Sequence, residues 1–129
     1  MTQQTDRLER LIADELGDCC AADIETRIET LEEYDSATPT PSERELDALH
    51  TLGNETRYNI AQLLATADGP LCVCEISHLI DVSDSAISHA LSDLHDAGLV
   101  NREKDGQWRY YEPTERTTEL IAALDRTRK

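Results

Sequence analysis

The segment from Ile76 to Gly98 carries the pattern that most restricts the fold of this chain. Apolar residues at Ile76, Leu79 and Ile80 predict a short helix, and the three residues Asp81–Val82–Ser83 predict a turn after it. A second helix should run from about Asp84 to Ala97 and stop at Gly98, a residue type that suits a helix C-terminus. Two helices joined by so short a turn predict a helix-turn-helix.

A β-hairpin is predicted directly after this helix-turn-helix. The strand-like segments are Leu99–Lys104 and Gln107–Glu112, and they flank Asp105–Gly106, a dipeptide favoured in two-residue hairpin turns. Pro113 should end the second strand, and the spacing of Leu120, Ile121 and Leu124 predicts a last helix. The order of the elements predicts a mainly α-helical winged helix-turn-helix with a small β-hairpin wing.

The chain before residue 42 is predicted to form a helical arm. One amphipathic helix through Leu8 should stop at Gly17, and a second through Ile24 should close at Tyr34. Asp35–Pro41 contains two prolines and is expected to be a non-helical linker. We therefore divide the chain into an arm, residues 1–41, and a main domain, residues 42–129.

The main domain should begin with two helices that supply part of its core. Ser42 and Glu45 have the spacing of a capping box, and Gly53–Asn54 should interrupt the helix that follows. In the next helix the residues expected to point inward are Tyr58, Leu63 and Leu64, with Ile60 and Ala61 close to that face.

The charge balance of the chain is strongly acidic. There are 27 acidic residues against 12 basic ones, and the formal net charge is −15. Such a surface stays hydrated in concentrated salt, where like-charge repulsion is screened, so we interpret it as adaptation to a salt-loaded cytoplasm. An acidic protein that binds basic partners, or an extended acidic tail, is the alternative. This net charge opposes general affinity for nucleic acid, so DNA binding must come from local features.

The location predicted from the N-terminus is the cytoplasm. Residues 1–7 lack the basic stretch and apolar block of a secretory signal, and no apolar run of about 18 residues predicts a membrane span. In a reducing compartment the four cysteines are expected to be thiols or metal ligands.

The helix over Asp84–Ala97 is the candidate for reading DNA. Ile87, Leu91 and Leu94 should face the core, and the opposite stripe consists of Ser85, Ser88, His89 and Ser92, with Ser83 as the expected N-cap. Short hydroxyl side chains allow a helix to lie deep in a major groove and to bind phosphates and base edges. The alternative is an ordinary amphipathic helix with a serine-rich exposed face.

The hairpin supplies the candidate phosphate contacts. Arg102, Lys104 and Arg109 make this segment locally positive in a negative chain. Asp93 and Asp96 oppose a DNA contact and should face away from the phosphates. Trp108 and the two tyrosines after it are expected to belong to the core of the wing.

The cysteines occur as two close pairs, Cys19–Cys20 and Cys72 with Cys74. Two residues apart on a regular helix, Cys72 and Cys74 would point about 200° away from each other. They can converge at an irregular helix start, which Pro70 favours, and a helix N-terminus should stabilise their thiolates. The alternative is that all four are small buried side chains or spare thiols.

Several motifs together resemble one known family. Leu49–Arg57 resembles the "L-x-x-L-x-x-x-x-R" opening of the ArsR/SmtB family of metal-responsive repressors, and Leu71–Ile76 resembles its "L-C-V-C-D/E-L" metal box. Ser83–Leu91 resembles its recognition helix, and Ala97–Tyr111 its wing. The resemblance implies a homodimer, with the first and last helices packed across a two-fold axis. It also implies a repressor that holds a roughly palindromic double-stranded DNA operator and leaves it on ligand binding.

The resemblance also bears on the effector, which we expect to be arsenite or antimonite or a soft divalent metal, with no permanent cofactor. The arsenite-sensing branch often has a third cysteine where this chain has Ser77, and the ligands of the zinc-sensing branch are absent from the last helix. Some branches recruit N-terminal cysteines from the partner subunit. The expected metal ligands are therefore Cys19 and Cys20 from one chain with Cys72, Cys74 or both from the other, and a four-sulfur set would suit cadmium, lead or zinc.

Two other functions remain open at this point. A winged-helix regulator could respond to thiol oxidation at the same cysteines, and an acidic protein-interaction module could hold a structural zinc. No nucleophile, base and orienting residue assemble in the sequence, so an enzyme is not expected.

Overall fold

The structure is a computed structural model that describes residues 2–16 and 21–129. Over these residues it contains seven helices and three strands, in the order α1 Thr2–Leu16, α2 Ala21–Ala37, α3 Glu43–Leu52, α4 Glu55–Thr66, β1 Leu71–Cys72, α5 Val73–Leu79, α6 Asp84–Asp96, β2 Val100–Asp105, β3 Trp108–Pro113 and α7 Glu115–Arg126. The chain separates into two compact units, one up to Thr40 and one from Pro41 onward. No helix in this part of the chain is both long and apolar enough to cross a membrane.

The first unit consists of α1 and α2, which pack against each other around the buried Ile12. The expectation that Tyr34 closes the second helix is wrong, because α2 continues to Ala37. Nothing between Asp35 and Ala37 opposes a helix, whereas Pro39 disfavours helical backbone at the residue before it. Thr38 terminates the helix, and its hydroxyl donates to the carbonyl of Tyr34 at 2.8 Å. The non-helical segment therefore begins three residues later than predicted.

Three helices of the second unit begin at side chains that cap them. Ser42, Asn54 and Ser83 each accept a hydrogen bond from the backbone N–H three residues later, all at 3.1 Å. The capping bond satisfies one of the N–H groups that a helix leaves unpaired at its start, which fixes where α3, α4 and α6 begin. The predicted N-caps Ser42 and Ser83 are confirmed.

The core of the second unit lies between α4, α6 and the sheet. Ile87, Leu91 and Leu94 of α6 are fully buried, as predicted from their spacing. In α4 the buried residues are Ile60, Ala61 and Leu64, whereas Tyr58 and Leu63 only pack against the edge of the core. The face of α4 that points into the core is therefore rotated slightly, about the helix axis, from the predicted face. Leu79 of α5 is exposed.

The sheet has three antiparallel strands in the order β1-β3-β2, one more than the predicted hairpin. In the hairpin Asp105 pairs with Trp108, so the two turn residues are Gly106 and Gln107 and not Asp105 and Gly106. Gly106 has φ +65°, and among the described residues positive φ occurs only at glycines, so Gln107 has negative φ. A turn with glycine at its first central position has the pattern of type II′. The turn lies one residue later than predicted, so Lys104 pairs with Arg109 and not with Gln107.

Candidate functional site

The outer face of α6 carries a polar stripe of serine and histidine side chains. Its members are exposed, and they are the predicted set Ser85, Ser88, His89 and Ser92, with the N-cap Ser83 at the start of the helix. The opposite side of α6 is anchored in the core by Ile87, Leu91 and Leu94. The stripe therefore lies on a helix whose rotation about its own axis is fixed by packing.

Arg57 of α4 fixes α6 from the side. Its Nε donates to the carbonyl of Thr51 at 2.6 Å, and its guanidinium lies 3.5 Å from the carboxylate of Asp93. Asp93 is thus turned toward α4, and Asp96 lies 3.8 Å from His95. Arg57 appeared in the sequence only as part of a family motif. Arg57 connects α3, α4 and α6 through contacts with residues on other helices, and a sequence pattern within one helix does not reveal such contacts.

The register of the wing separates its charges onto two faces. Lys104 pairs with Arg109, and Arg102 pairs with Tyr111, so these side chains lie on one face of the hairpin. Because successive residues of a strand point to opposite sides, Glu103, Asp105 and Glu112 lie on the other face. All three predicted cations are exposed. They share the face that contains the buried Val100 and Tyr111.

Trp108 is not part of the core of the wing, contrary to the expectation from the sequence. It lies beside the turn and is 49% exposed, whereas Tyr111 is buried and Tyr110 is half-buried. The hairpin extends beyond the body of the unit, so residues near its turn have no core to pack against. Trp108 and Tyr110 also lie on the face of Asp105 and Glu103, opposite the buried Tyr111.

Cys72 and Cys74 converge although they are only two residues apart. Cys72 is the last residue of β1 and the N-cap of α5, with extended backbone at φ −88° and ψ 168°, and Cys74 lies in the first turn of α5. This change from strand to helix brings the two Sγ atoms to 2.8 Å. Cys72 is buried and Cys74 is exposed. The predicted convergence at an irregular helix start is confirmed, and it is produced by a strand that the sequence analysis missed.

The two thiols and Glu75 form a small hydrogen-bonded network. The backbone N–H of Cys72 donates to the Glu75 carboxylate at 3.0 Å. This bond, together with a bond from the Cys72 thiol, lowers the pKa of Glu75. The Cys72–Glu75 spacing is that of a capping box with cysteine in place of serine or threonine, a signal that was available in the sequence.

The expectation that the helix N-terminus favours thiolate is wrong for Cys74. The hydrogen bond with Cys72 raises the pKa of Cys74, and desolvation and the charges of Cys72 and Glu75 act in the same direction. Together these causes outweigh a backbone hydrogen bond at Cys74, which lowers its pKa. Without a ligand, Cys74 therefore stays a thiol at neutral pH.

The described residues supply only part of the sulfur ligands that a thiophilic ion needs. Two sulfurs converge, and residues 2–16 and 21–129 contain no group of three or more His, Cys, Asp or Glu side chains placed to hold a metal ion. In the same part of the chain, the Oγ of Ser77 is the buried polar side-chain atom that has no hydrogen-bond partner. Cys19 and Cys20 lie outside the described residues. A complete sulfur site needs donors beyond Cys72 and Cys74.

Comparison with known proteins identifies the family. Residues 54–102 match the model of the bacterial regulatory proteins of the arsR family. The putative arsenical resistance operon repressor ArsR of Halobacterium salinarum is 49% identical over 126 residues, which cover 97% of this chain and 98% of that protein. The chain belongs to the arsR family. A second protein of H. salinarum, the putative arsenical resistance operon repressor ArsR2, is 51% identical over 81 residues, or 63% of this chain and 68% of that protein.

Solved structures of arsR-family type support the same assignment. HlyU from Vibrio cholerae matches with a TM-score of 0.60 and 31% identity, over 66% of this chain and 91% of HlyU. The predicted winged helix-turn-helix fold and the resemblance to the arsR family are confirmed. Members of the family are DNA-binding transcriptional regulators and not enzymes, and dimers are typical of them. The acidic composition of this arsR-family chain fits its relatives from Halobacterium.

Proposed function

We propose that this chain is a cytoplasmic repressor that arsenite, antimonite or another thiophilic ion releases from its operator. The observation that carries the proposal is the 2.8 Å approach of the Cys72 and Cys74 Sγ atoms at the start of the helix-turn-helix. Sulfur ligands select soft ions over hard ones. The names of the two H. salinarum relatives, both putative arsenical resistance operon repressors, agree with an arsenic compound as the signal.

The DNA contacts in this proposal come from α6 and the wing. The polar stripe of α6 enters the major groove, and the wing cations bind the flanking phosphates. The stripe consists of Ser83, Ser85, Ser88, His89 and Ser92, and the cations are Arg102, Lys104 and Arg109. A homodimer places two such surfaces on a roughly palindromic operator. Residues 1–41 act as a dimerisation arm and α7 as a dimerisation helix, which is supported by the exposed Leu124 on α7.

The effector site in this proposal combines both cysteine pairs. Cys19 and Cys20 of one protomer join Cys72, Cys74 or both of the other. Three sulfurs suit a trivalent arsenic or antimony compound, and four suit cadmium, lead or zinc. Binding requires that the thiols lose their protons, so the raised pKa of Cys74 makes ion binding release protons at neutral pH.

Fluorescence anisotropy of labelled DNA from upstream of the gene that encodes this chain, in concentrated KCl, tests the proposal. Arsenite, antimonite, cadmium and zinc are titrated in turn into the protein–DNA complex. We expect at least one of these ions to release the wild-type protein, and Cys72→Ser and Cys74→Ser to keep operator affinity but remain bound. His78→Gln, an exposed substitution in the same helix, is the matched control and should respond like the wild type. Release of both cysteine variants at wild-type ion concentrations would refute the assignment.

A thiol-redox signal is the second candidate, because the same 2.8 Å approach places the sulfurs within reach of each other. In that reaction Cys72 and Cys74 lose two protons and two electrons to an oxidant such as hydrogen peroxide and form one S–S bond. Mass spectrometry of the reduced and the peroxide-treated protein detects the loss of two hydrogens on the peptide that contains both residues. Operator release that follows this mass change, without any added ion, would favour redox sensing.

A further inference from the structure

Strand β1 joins the cysteine site directly to the wing. Leu71 pairs with Tyr111 and Cys72 pairs with Tyr110. The two partners belong to β3, whose next residues toward the turn are Arg109 and Trp108. The sulfur ligand and the phosphate-binding cation are far apart in sequence but lie on adjacent strands.

Cys72 belongs to two elements at once. It ends β1, and its backbone N–H is bound to Glu75 in the first turn of α5. A shift of its backbone therefore changes both the start of α5 and the pairing with Tyr110. Because Cys72 is buried, with only 6% of its surface exposed, its side chain has little room to move by itself.

Ion binding must move the two sulfurs apart. In a tetrahedral thiolate site with metal–sulfur bonds of about 2.3 Å, two sulfurs lie roughly 3.8 Å from each other. In the ligand-free protein they are 2.8 Å apart. An ion that binds between them replaces this direct contact and separates the two sulfurs, and any further sulfur that the ion recruits adds a pull on the same strand end.

We propose that this opening reorients the wing of the same protomer through the pairing of β1 with β3. The proposal rests on the proposed function, since it needs an ion at Cys72 and Cys74. The charge distribution of the wing makes the movement effective: Arg102, Lys104 and Arg109 share one face, so one rotation withdraws all three from the phosphates. The same rotation brings the face of Glu103, Asp105 and Glu112 toward the DNA, where it repels the backbone.

Trp108 reports on the wing because it is the one tryptophan of the sequence and is half exposed beside the turn. The experiment uses the full-length reduced protein in concentrated KCl without DNA, titrated with sodium arsenite and separately with cadmium chloride. Native mass spectrometry measures how much ion is bound, and acrylamide quenching measures the exposure of Trp108. Hydrogen exchange compares the peptide that contains β3 with the peptide that contains α6.

We expect the quenching constant of Trp108 to change in parallel with ion binding, and amide exchange in β3 to change more than in α6. Both changes should be lost in Cys72→Ser and retained in His78→Gln. An ion that binds and releases the operator without altering Trp108 or β3 overturns this inference while the proposed function stands. If mass spectrometry shows that neither ion binds, the proposed effector and the wing movement both fail.

Discussion

Cys72 and Cys74 illustrate how one contact can lower the reactivity of a cysteine and still prepare the proposed ion-binding site. The proton between the two sulfurs raises the pKa of Cys74, so the exposed thiol resists deprotonation and is a poor nucleophile. The same contact holds two soft donors side by side, and an ion that displaces the proton finds both in place. Protection from general thiol reagents and readiness for a thiophilic ion therefore have one geometric cause.

Replacing Cys72 should make Cys74 more reactive. In Cys72→Ala the hydrogen bond that raises the pKa of Cys74 is gone, so Cys74 should deprotonate at lower pH and react severalfold faster with iodoacetamide at neutral pH. The rate is followed by mass spectrometry across a pH series, in a background with Cys19→Ser and Cys20→Ser. Cys72→Ser keeps a hydroxyl that can hydrogen-bond to Cys74 and should change the rate less. An unchanged pH midpoint in Cys72→Ala would contradict the cause assigned to the shift.

At the scale of elements, α6 depends on its neighbours for the direction of its polar stripe. Its inner face is held by apolar packing, and Arg57 ties the helix to α3 and α4 through Thr51 and Asp93. The side chain of Asp93 is more than half exposed, so its ion pair with Arg57 contributes little to the stability of the fold by itself. The bond from Arg57 to the Thr51 carbonyl contributes more, because Thr51 is a buried residue.

Arg57→Ala should weaken both the fold and DNA binding. Loss of a hydrogen bond from a charged donor predicts a decrease of about 1.5–3 kcal/mol in the free energy of unfolding. Operator affinity should fall as well, since the orientation of α6 becomes less restricted. Urea denaturation at constant KCl measures the first effect and anisotropy the second. Arg116→Ala, at an exposed position of α7, is the matched control, and equal effects of the two substitutions would show that Arg57 has no such role.

At the scale of the whole molecule, the acidic surface changes how the protein approaches DNA. With a formal net charge of −15, long-range forces between this chain and DNA are repulsive. At about 1 M salt the screening length falls to roughly 3 Å, and only contacts at the interface remain effective. The polar stripe of α6 and the three cations on one face of the wing are suited to these conditions, because they act at short range.

The salt dependence of operator binding tests this view. A dimer that uses three wing cations in each protomer neutralises six phosphates, and with about 0.9 ions released per phosphate the slope of log K against log [KCl] should be no steeper than roughly −5. Arg109→Gln should reduce the steepness by about 2 in the dimer, and Lys129→Gln, at the C-terminus, should leave it unchanged. Anisotropy over a KCl series gives the slope, with circular dichroism to confirm folding at each salt concentration. A much steeper slope would mean that other basic residues bind the DNA.

The sequence by itself determined the features that arise within one turn or one helix. The spacing of Ile87, Leu91 and Leu94 specifies the buried side of α6 wherever that helix packs, and Ser83 and Gly98 mark its ends through local backbone chemistry. That Cys72 and Cys74 can converge at a helix start was also predictable, although the strand that brings them together was not. These features need only contacts between residues that are close along the chain.

Only the tertiary structure decided the features that depend on distant partners. β1 has two residues, too few for any periodic pattern, and it is a strand because β3 lies beside it. The conformation of Gly106 sets the register of the hairpin, and a slip of one strand by one residue would place Arg109 on the face opposite Arg102 and Lys104. Trp108 is exposed because it lies beside the turn, on the face of the hairpin opposite the buried Tyr111. Side-chain pattern fixes which face of a helix is apolar, but strand pairing depends on backbone groups that every residue shares, so its register is settled only when the strands meet.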